Sequence, residues 1–317
     1  MTELLIVSFF SFLPAYVLNR SPRMIVAFDT DFLFNIDAFH RAMRKSGDLD
    51  KGGTIILQLG WTHELPDVAE RDNALLRTAR EKFPEWRFVV LANTPAEVKV
   101  FDGVAECFFV HQNAFLDPGR YPLAKKSREF DAVYVARVTP FKRHYLAARV
   151  KKLLLIGSYS AKEKDFAAET LKMFPDAVHI RKVSSYFIGN RIRRAACGLA
   201  LSAAEGAMFV SAEYLLCGIP VVNTENIGGR DVLIPEFAMR RAGDTPESVA
   251  EGVRYFVDNP IDPAEIRSAF LKAAAPHKAF LQELVNSIAG RKVHLPHKLG
   301  IRCNLLPHQK LLHGIRR

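Results

Sequence analysis

Apolar runs of strand length alternate with polar stretches of helical period along most of the chain. In the first part, residues 4–9, 24–28, 54–59, 87–92 and 106–110 predict buried strands. Residues 37–45 and 68–83 predict helices. Strands that alternate with helices imply a parallel sheet covered on both faces. The rhythm resumes with a strand over 131–137, an amphipathic helix through Val150, a strand over 151–157, a helix over 163–174 and a short strand over 178–180. A strand over 200–202 then delivers Glu205, and a helix runs from Gly206 to Leu216. Gly218 stops that helix, Pro220 restarts the chain, and Val221-Val222 opens a strand that ends near the Gly228-Gly229 turn. Helices over 244–257, 262–274 and 277–289 close the pattern; Asp244 or Thr245 caps the first, with Pro246 in its first turn.

The two halves are joined by His111-Gln112-Asn113-Ala114-Phe115 and a segment holding Pro118, Gly119, Pro122 and Lys125-Lys126, which has the composition of a linker. A chain of 317 residues is long enough for two such domains. Four cysteines without a CxxC pair predict reduced, mostly buried thiols and no zinc site. His63-Glu64 lacks the second histidine of a zinc helix. The net charge is +10, and residues 291–317 carry seven Lys/Arg and no Asp/Glu. That tail either lies on an anionic membrane surface or is a solvated end. No nucleic-acid motif accompanies the charge. The apolar start is too short to span a bilayer, so the expected location is cytoplasmic, with the basic tail as the one route to a peripheral membrane contact.

Chemistry concentrates between residues 201 and 233. Glu205 and Glu213 are about 2.2 helical turns apart. If Glu205 stands at the helix entrance, the N–H groups of Gly206, Ala207 and Met208 and the helix dipole form an anion site. A carboxylate beside it suits hydroxyl donors, so the pair describes a nucleotide-sugar; the plain alternative is a helix cap and a solvated glutamate. Arg137 at a strand end and Lys142 five residues on are two cations for a diphosphate leaving group, or a solvated loop. In the first half, Trp61, His63 and Glu64 follow a strand. Trp61 suits stacking on a sugar and His63 or Glu64 hydroxyl binding; a core-edge tryptophan and a turn histidine are the alternatives. Asp29 and Asp31 follow another strand, and His111 follows the last strand of this half.

The Glu-x7-Glu pair followed by Cys217-Gly218-Ile219-Pro220-Val221-Val222 and the Gly-Gly turn resembles the donor domain of retaining GT-B glycosyltransferases of the family-4 type. Arg137 and Lys142 resemble the same family's GRxxxxKG element, with Ala136 and Arg143 where glycines stand; Tyr214 replaces the usual alanine. The resemblance covers residues 113 to about 260 well and the first 110 poorly. It implies an α/β chain with two Rossmann-like domains facing across a cleft. An acceptor-side domain spans 1–112, a linker 113–130, a donor domain 131–290 and a basic tail 291–317. It implies sugar transfer from a nucleotide-sugar co-substrate to an unidentified acceptor, such as a cell-surface polysaccharide or glycolipid, with no cofactor and no metal. Glu205 then orients the donor sugar, Arg137 and Lys142 hold the diphosphate, and Glu213 binds the ribose. Gly157 lies beside the donor, and Val183 contacts the base. The short first half leaves a second reading, a nucleotide-sugar-binding protein without transfer, and the tail a third, a membrane-surface scaffold.

Overall fold

The structure, a computed structural model, describes residues 15–184 and 186–295. The strand expected at residues 4–9, Cys303 and the tail beyond residue 295 lie outside the described residues. The chain divides into two compact units, residues 1–115 with 275–317, and residues 116–274.

The first unit is built on a five-stranded sheet in the order β1-β2-β3-β4-β5. The strands are β1 (Ala15–Arg20), β2 (Arg23–Phe28), β3 (Gly53–Gln58), β4 (Trp86–Ala92) and β5 (Glu106–Phe109). β2 to β5 are parallel, and β1 runs antiparallel to β2. The hydrophobic pattern missed β1, whose AYVLNR run neither alternates cleanly nor forms a continuous apolar block. Helices α1 (Asp29–Leu33), α2 (Ile36–Ser46), α3 (Pro66–Lys82) and α4 (Pro95–Val100) connect the strands. Near-continuous burial along β2, β3 and β4 is the mark of a parallel sheet covered on both faces. Phe32, Phe39, Phe83 and Phe88 pack with Ile55, Leu57 and Leu76 into one core.

The second unit holds a six-stranded parallel sheet in the order β11-β10-β9-β6-β7-β8. Its strands are β6 (Phe130–Val135), β7 (Leu153–Ile156), β8 (Val178–Ile180), β9 (Ala195–Ala200), β10 (Val221–Asn223) and β11 (Met239–Arg241). Read from β8 to β11, this is the doubly wound order, and its direction reverses between β6 and β9. The helices are α5 (Lys164–Lys172), α6 (Ile188–Ile192), α7 (Phe209–Leu216) and α8 (Pro246–Asp258). Thr245 caps α8 by accepting the Ser248 N–H at 3.2 Å.

Three expectations are corrected here. The helix expected through Val150 is two short 3-10 turns, Pro140–Lys142 and His144–Ala147, because Arg143 between them takes the left-handed conformation at φ 50°. The strand before Glu205 lies earlier, at Ala195–Ala200, where the small residues AACGLA hid it. The two closing helices are one, α9 (Pro263–Ala289), with Pro276 inside it.

Candidate functional site

In doubly wound sheets, ligands sit beyond the carboxyl ends of the strands where strand order reverses. In the second unit that place is the loop after β6 and the loop after β9. The first carries Arg137 and Lys142; the second carries Glu205. The Lys142 ammonium pairs with Glu205 Oε1, both side chains being largely buried. The fold thus joins these two expected residues across 63 positions of sequence.

Each partner is held from behind. The buried Tyr134 of β6 donates its hydroxyl to the Lys142 carbonyl, and its ring packs tilted against His144 at 4.8 Å between centroids. Burial, helped by the Lys142 charge, drives the His144 imidazole down to about 4, so it stays neutral. Glu205 Oε1 also accepts the Ser202 hydroxyl at 2.7 Å. The Glu205 backbone N–H bonds the Ile227 carbonyl at 3.1 Å, and the Ile227 N–H bonds Ala203 at 2.8 Å. The glutamate therefore stands on a short backbone ladder to the segment before the Gly-Gly turn.

Two arginines that the pattern did not single out tie these loops together. Arg143 donates to the Leu201 carbonyl and Thr224 hydroxyl at 2.5 and 2.6 Å and pairs with Asp244 at 2.8 Å. It occupies a position where the resembled family has glycine, and it keeps a glycine-like φ; left-handed backbone costs a side-chain-bearing residue about 1 kcal/mol, which these bonds offset. Arg230, after the Gly-Gly turn and 1% exposed, donates to the Ser202 carbonyl at 2.6 Å, to the Thr224 carbonyl and to Asp231 at 2.8 Å. The only sequence signal for it was an arginine directly after Gly228-Gly229.

Other expected residues stand apart from the pair. Arg137 is largely exposed and pairs with Glu163 at 2.9 Å. Glu163 closes a capping box with Ser160, whose N–H and hydroxyl hold its carboxyl down at about 2. The helix α7 starts at Phe209, because Met208 takes φ 46°; Glu205 is thus in the loop and not at the helix entrance, with Gly206, Ala207 and Met208 between. Glu213 lies on α7, half-buried, and accepts the Tyr121 hydroxyl at 3.0 Å. Burial pushes its carboxyl up to about 6, against that bond and the Arg120 charge. Tyr121 belongs to the segment expected as a linker.

Gly157, after β7, allows a close approach: a Cβ there would stand 1.7 Å from the Ala136 carbonyl oxygen. Val183 is half-buried in the stretch after β8. A cavity of about 290 Å³ among Phe130, Lys152, Pro220 and Phe256 lies at the amino ends of the strands, the end that such sheets do not use for ligands.

In the first unit Trp61 is half-buried. His63 and His111 are corrected: both are buried. His63 faces the Trp61 carbonyl at 3.2 Å, Asp72 at 2.9 Å and Asp29 at 3.5 Å, with no surface to offer an acceptor. Asn113 donates its N–H to the His111 ring at 3.2 Å, and the His111 N–H reaches the His277 ring at 3.3 Å. Among the described residues, Cys107, Cys197 and Cys217 are free thiols, and burial raises all three. No described helix is long and apolar enough to cross a membrane.

No protein-family model matches the chain, and no curated protein matches it in sequence. Solved structures do. Anabaena HepE in complex with UDP superposes with a TM-score of 0.61 at 14% identity, over 84% of this chain and 78% of that one. S. aureus TarM, solved with fondaparinux, α-GlcNAc-glycerol and UDP, gives 0.58 at 15% over 74% of this chain and 51% of that one. Sucrose-phosphate synthase of Thermosynechococcus elongatus gives 0.56 at 13% over 82% and 76%. The fold is that of the GT-B glycosyltransferases. This chain spans about half the length of TarM, and at such identity the likeness concerns the fold.

Proposed function

We propose that the protein is a retaining glycosyltransferase that moves a sugar, of hexosyl type, from a nucleotide-sugar to an acceptor. The observation that carries this reading is the Lys142–Glu205 pair on the two loops that flank the strand-order reversal. A cation and a carboxylate side by side at that point match two adjoining parts of a nucleotide-sugar: phosphate oxygens for Lys142, sugar hydroxyls for Glu205. HepE has been solved with UDP and with UDP and glucose, which makes a nucleoside diphosphate the first ligand to test.

In this mechanism Lys142 neutralises the diphosphate as it departs, and the exposed Arg137 joins it by exchanging its Glu163 partner for phosphate. Fixed cations then do this step without a metal. Glu205 orients the donor sugar through its hydroxyls. Backbone groups of Gly206, Ala207 and Met208 face the phosphates. Glu213 accepts the ribose hydroxyls beside Tyr121, Gly157 leaves room for the donor, and Val183 lies by the base. Trp61 stays as the proposed acceptor contact. A cell-surface polysaccharide or glycolipid as acceptor rests on the family resemblance alone.

The test is a thermal-shift panel of UDP, GDP, ADP, TDP and CMP with their sugar conjugates, on the wild type and on Glu213→Ala. A ligand at 100 times its Kd adds ~2.7 kcal/mol. A selective shift that the variant loses supports the reading. No shift with any nucleotide overturns it.

A further inference from the structure

Three side chains in the first unit converge without serving the proposed transfer chemistry. Asp29 opens α1 at the end of β2, His63 lies in the loop after β3, and Asp72 is in α3. Each is about 1% exposed. One ligand atom from each of the three lies within 4.8 Å of the other two. His63 Nε2 is 2.9 Å from Asp72 and 3.5 Å from Asp29. Ligand atoms around a tetrahedral zinc, at about 2.0–2.1 Å from the metal, stand roughly 3.3 Å apart.

The outward atoms are all engaged. Asp29 Oδ1 accepts the Gly60 N–H at 2.8 Å. Asp72 Oδ1 accepts Arg71 Nε at 2.6 Å. His63 Nδ1 faces the Trp61 carbonyl at 3.2 Å, and since a carbonyl only accepts, Nδ1 carries a proton. Metal-binding histidines and carboxylates are oriented by this kind of outer partner. Asp29 Oδ2 is buried and has no hydrogen-bond partner, which is costly for a carboxylate oxygen; it points at the other two inward atoms.

Charge completes the argument. Asp29, Asp72 and the adjacent Glu97, which accepts the His63 N–H at 2.9 Å, bring three negative charges when ionised. Arg71 returns one positive charge, and a divalent cation brings the cluster to neutrality with His63 uncharged. We propose that Asp29, His63 and Asp72 bind one divalent transition-metal ion, zinc by preference for a one-nitrogen, two-oxygen set. The ion ties the ends of β2 and β3 to α3, and any proton between His63 Nε2 and Asp72 leaves to solvent as it binds. The sequence pattern expects no metal, because these ligands sit on three separate elements with no motif spacing.

The full chain, stripped with a chelator, is dialysed against micromolar zinc, and separately manganese, and assayed for bound metal. Wild type, Asp29→Asn and Asp72→Asn are compared, with folding checked by circular dichroism. The zinc-loaded wild type is examined by X-ray absorption. The expected result is one metal per chain, an imidazole and oxygen shell, and at least a tenfold loss of affinity in each variant. Manganese held in place of zinc supports the site and changes the ion. Less than a tenth of an equivalent of either metal in the wild type overturns the proposal. Sulfur in the shell, or full binding by a folded Asp29→Asn chain, overturns it too. If both variants unfold, the stoichiometry and shell of the wild type decide. None of these readings depends on glycosyl transfer.

Discussion

The ring of Tyr214 fills the space where a side chain on Gly198 would stand: a Cβ there would lie 2.2 Å from the ring. Tyr214 comes from α7 and Gly198 from β9. The Tyr214 hydroxyl accepts the Val135 N–H of β6 at 2.9 Å and faces the Leu199 carbonyl at 3.3 Å. The bulky departure from the family's usual alanine is thus matched by a glycine on the neighbouring strand. Gly198→Ala is expected to destabilise the fold by about 1–3 kcal/mol through overpacking. Tyr214→Ala in the same chain should recover part of that loss, since the two changes share one space. Urea denaturation of the single and double variants checks this; strictly additive losses would remove the pairing.

Tyr214→Phe keeps the ring and removes the hydroxyl. The part-buried Val135 N–H then loses its acceptor, a loss of about 0.5–1.5 kcal/mol. Denaturation midpoints at equal m-value measure it, and an unchanged midpoint would mean that another acceptor serves that N–H.

Lys142→Ala is expected to lower turnover by about 10²–10³ once donor and acceptor are known, the effect of losing one charge-stabilising contact. Single-turnover rates at saturating donor separate this from weaker binding. Near-wild-type rates would sink the role given to Lys142.

Arg230→Met should cost about 2–4 kcal/mol in stability, because the buried carbonyls of Ser202 and Thr224 lose their donor. Arg230→Lys should recover only part, since one ammonium cannot reproduce the planar fork. Chemical denaturation of the two variants gives the answer; equal stability of both to wild type would show that water replaces the guanidinium.

The Glu213 carboxyl sits at about 6 in the fold against an ordinary 4.5. Between those values the folded chain holds a proton that the unfolded chain has released. Stability from this group is therefore highest below pH 4.5, falls as pH rises toward 6 and stays lower above it. The drop is on the order of 1 kcal/mol after allowance for solvent at a half-buried group. Melting temperatures of wild type and Glu213→Gln between pH 4 and 7 should diverge in that direction; parallel curves would place the carboxyl at its ordinary value.

The strands of both sheets showed in the sequence wherever Val, Ile, Leu and Phe ran together, as in β3 and β4. β9 was obscured because Gly198 and its alanines read as weak strand, and their meaning lies in a tyrosine on another element. Lys142 and Glu205 stood out in the sequence because each is a charge in the loop after a strand, and the structure brings the two together. Arg143 and Arg230 did not stand out: several of their acceptors are backbone carbonyls, which carry no residue signature, and Arg143 meets Leu201, Thr224 and Asp244 only 58, 81 and 101 positions further on. The sequence left His63 open between a hydroxyl contact and a turn histidine, and its burial was not visible there because its carboxylate partners come from α1 and α3, beyond the reach of any local spacing.

The pairing of Lys142 with Glu205 also bears on selectivity. In the free protein each charge already has a partner, so a visitor must replace both contacts or leave one largely buried charge bare. Inorganic phosphate satisfies only the ammonium, and a free sugar satisfies only the carboxylate. Under the proposed reading, a conjugate that carries both groups a short distance apart replaces both contacts at once, and a nucleoside diphosphate replaces only the one at the ammonium. The conjugate is then expected to bind more tightly than the diphosphate alone, with the pair as the device that tells them apart.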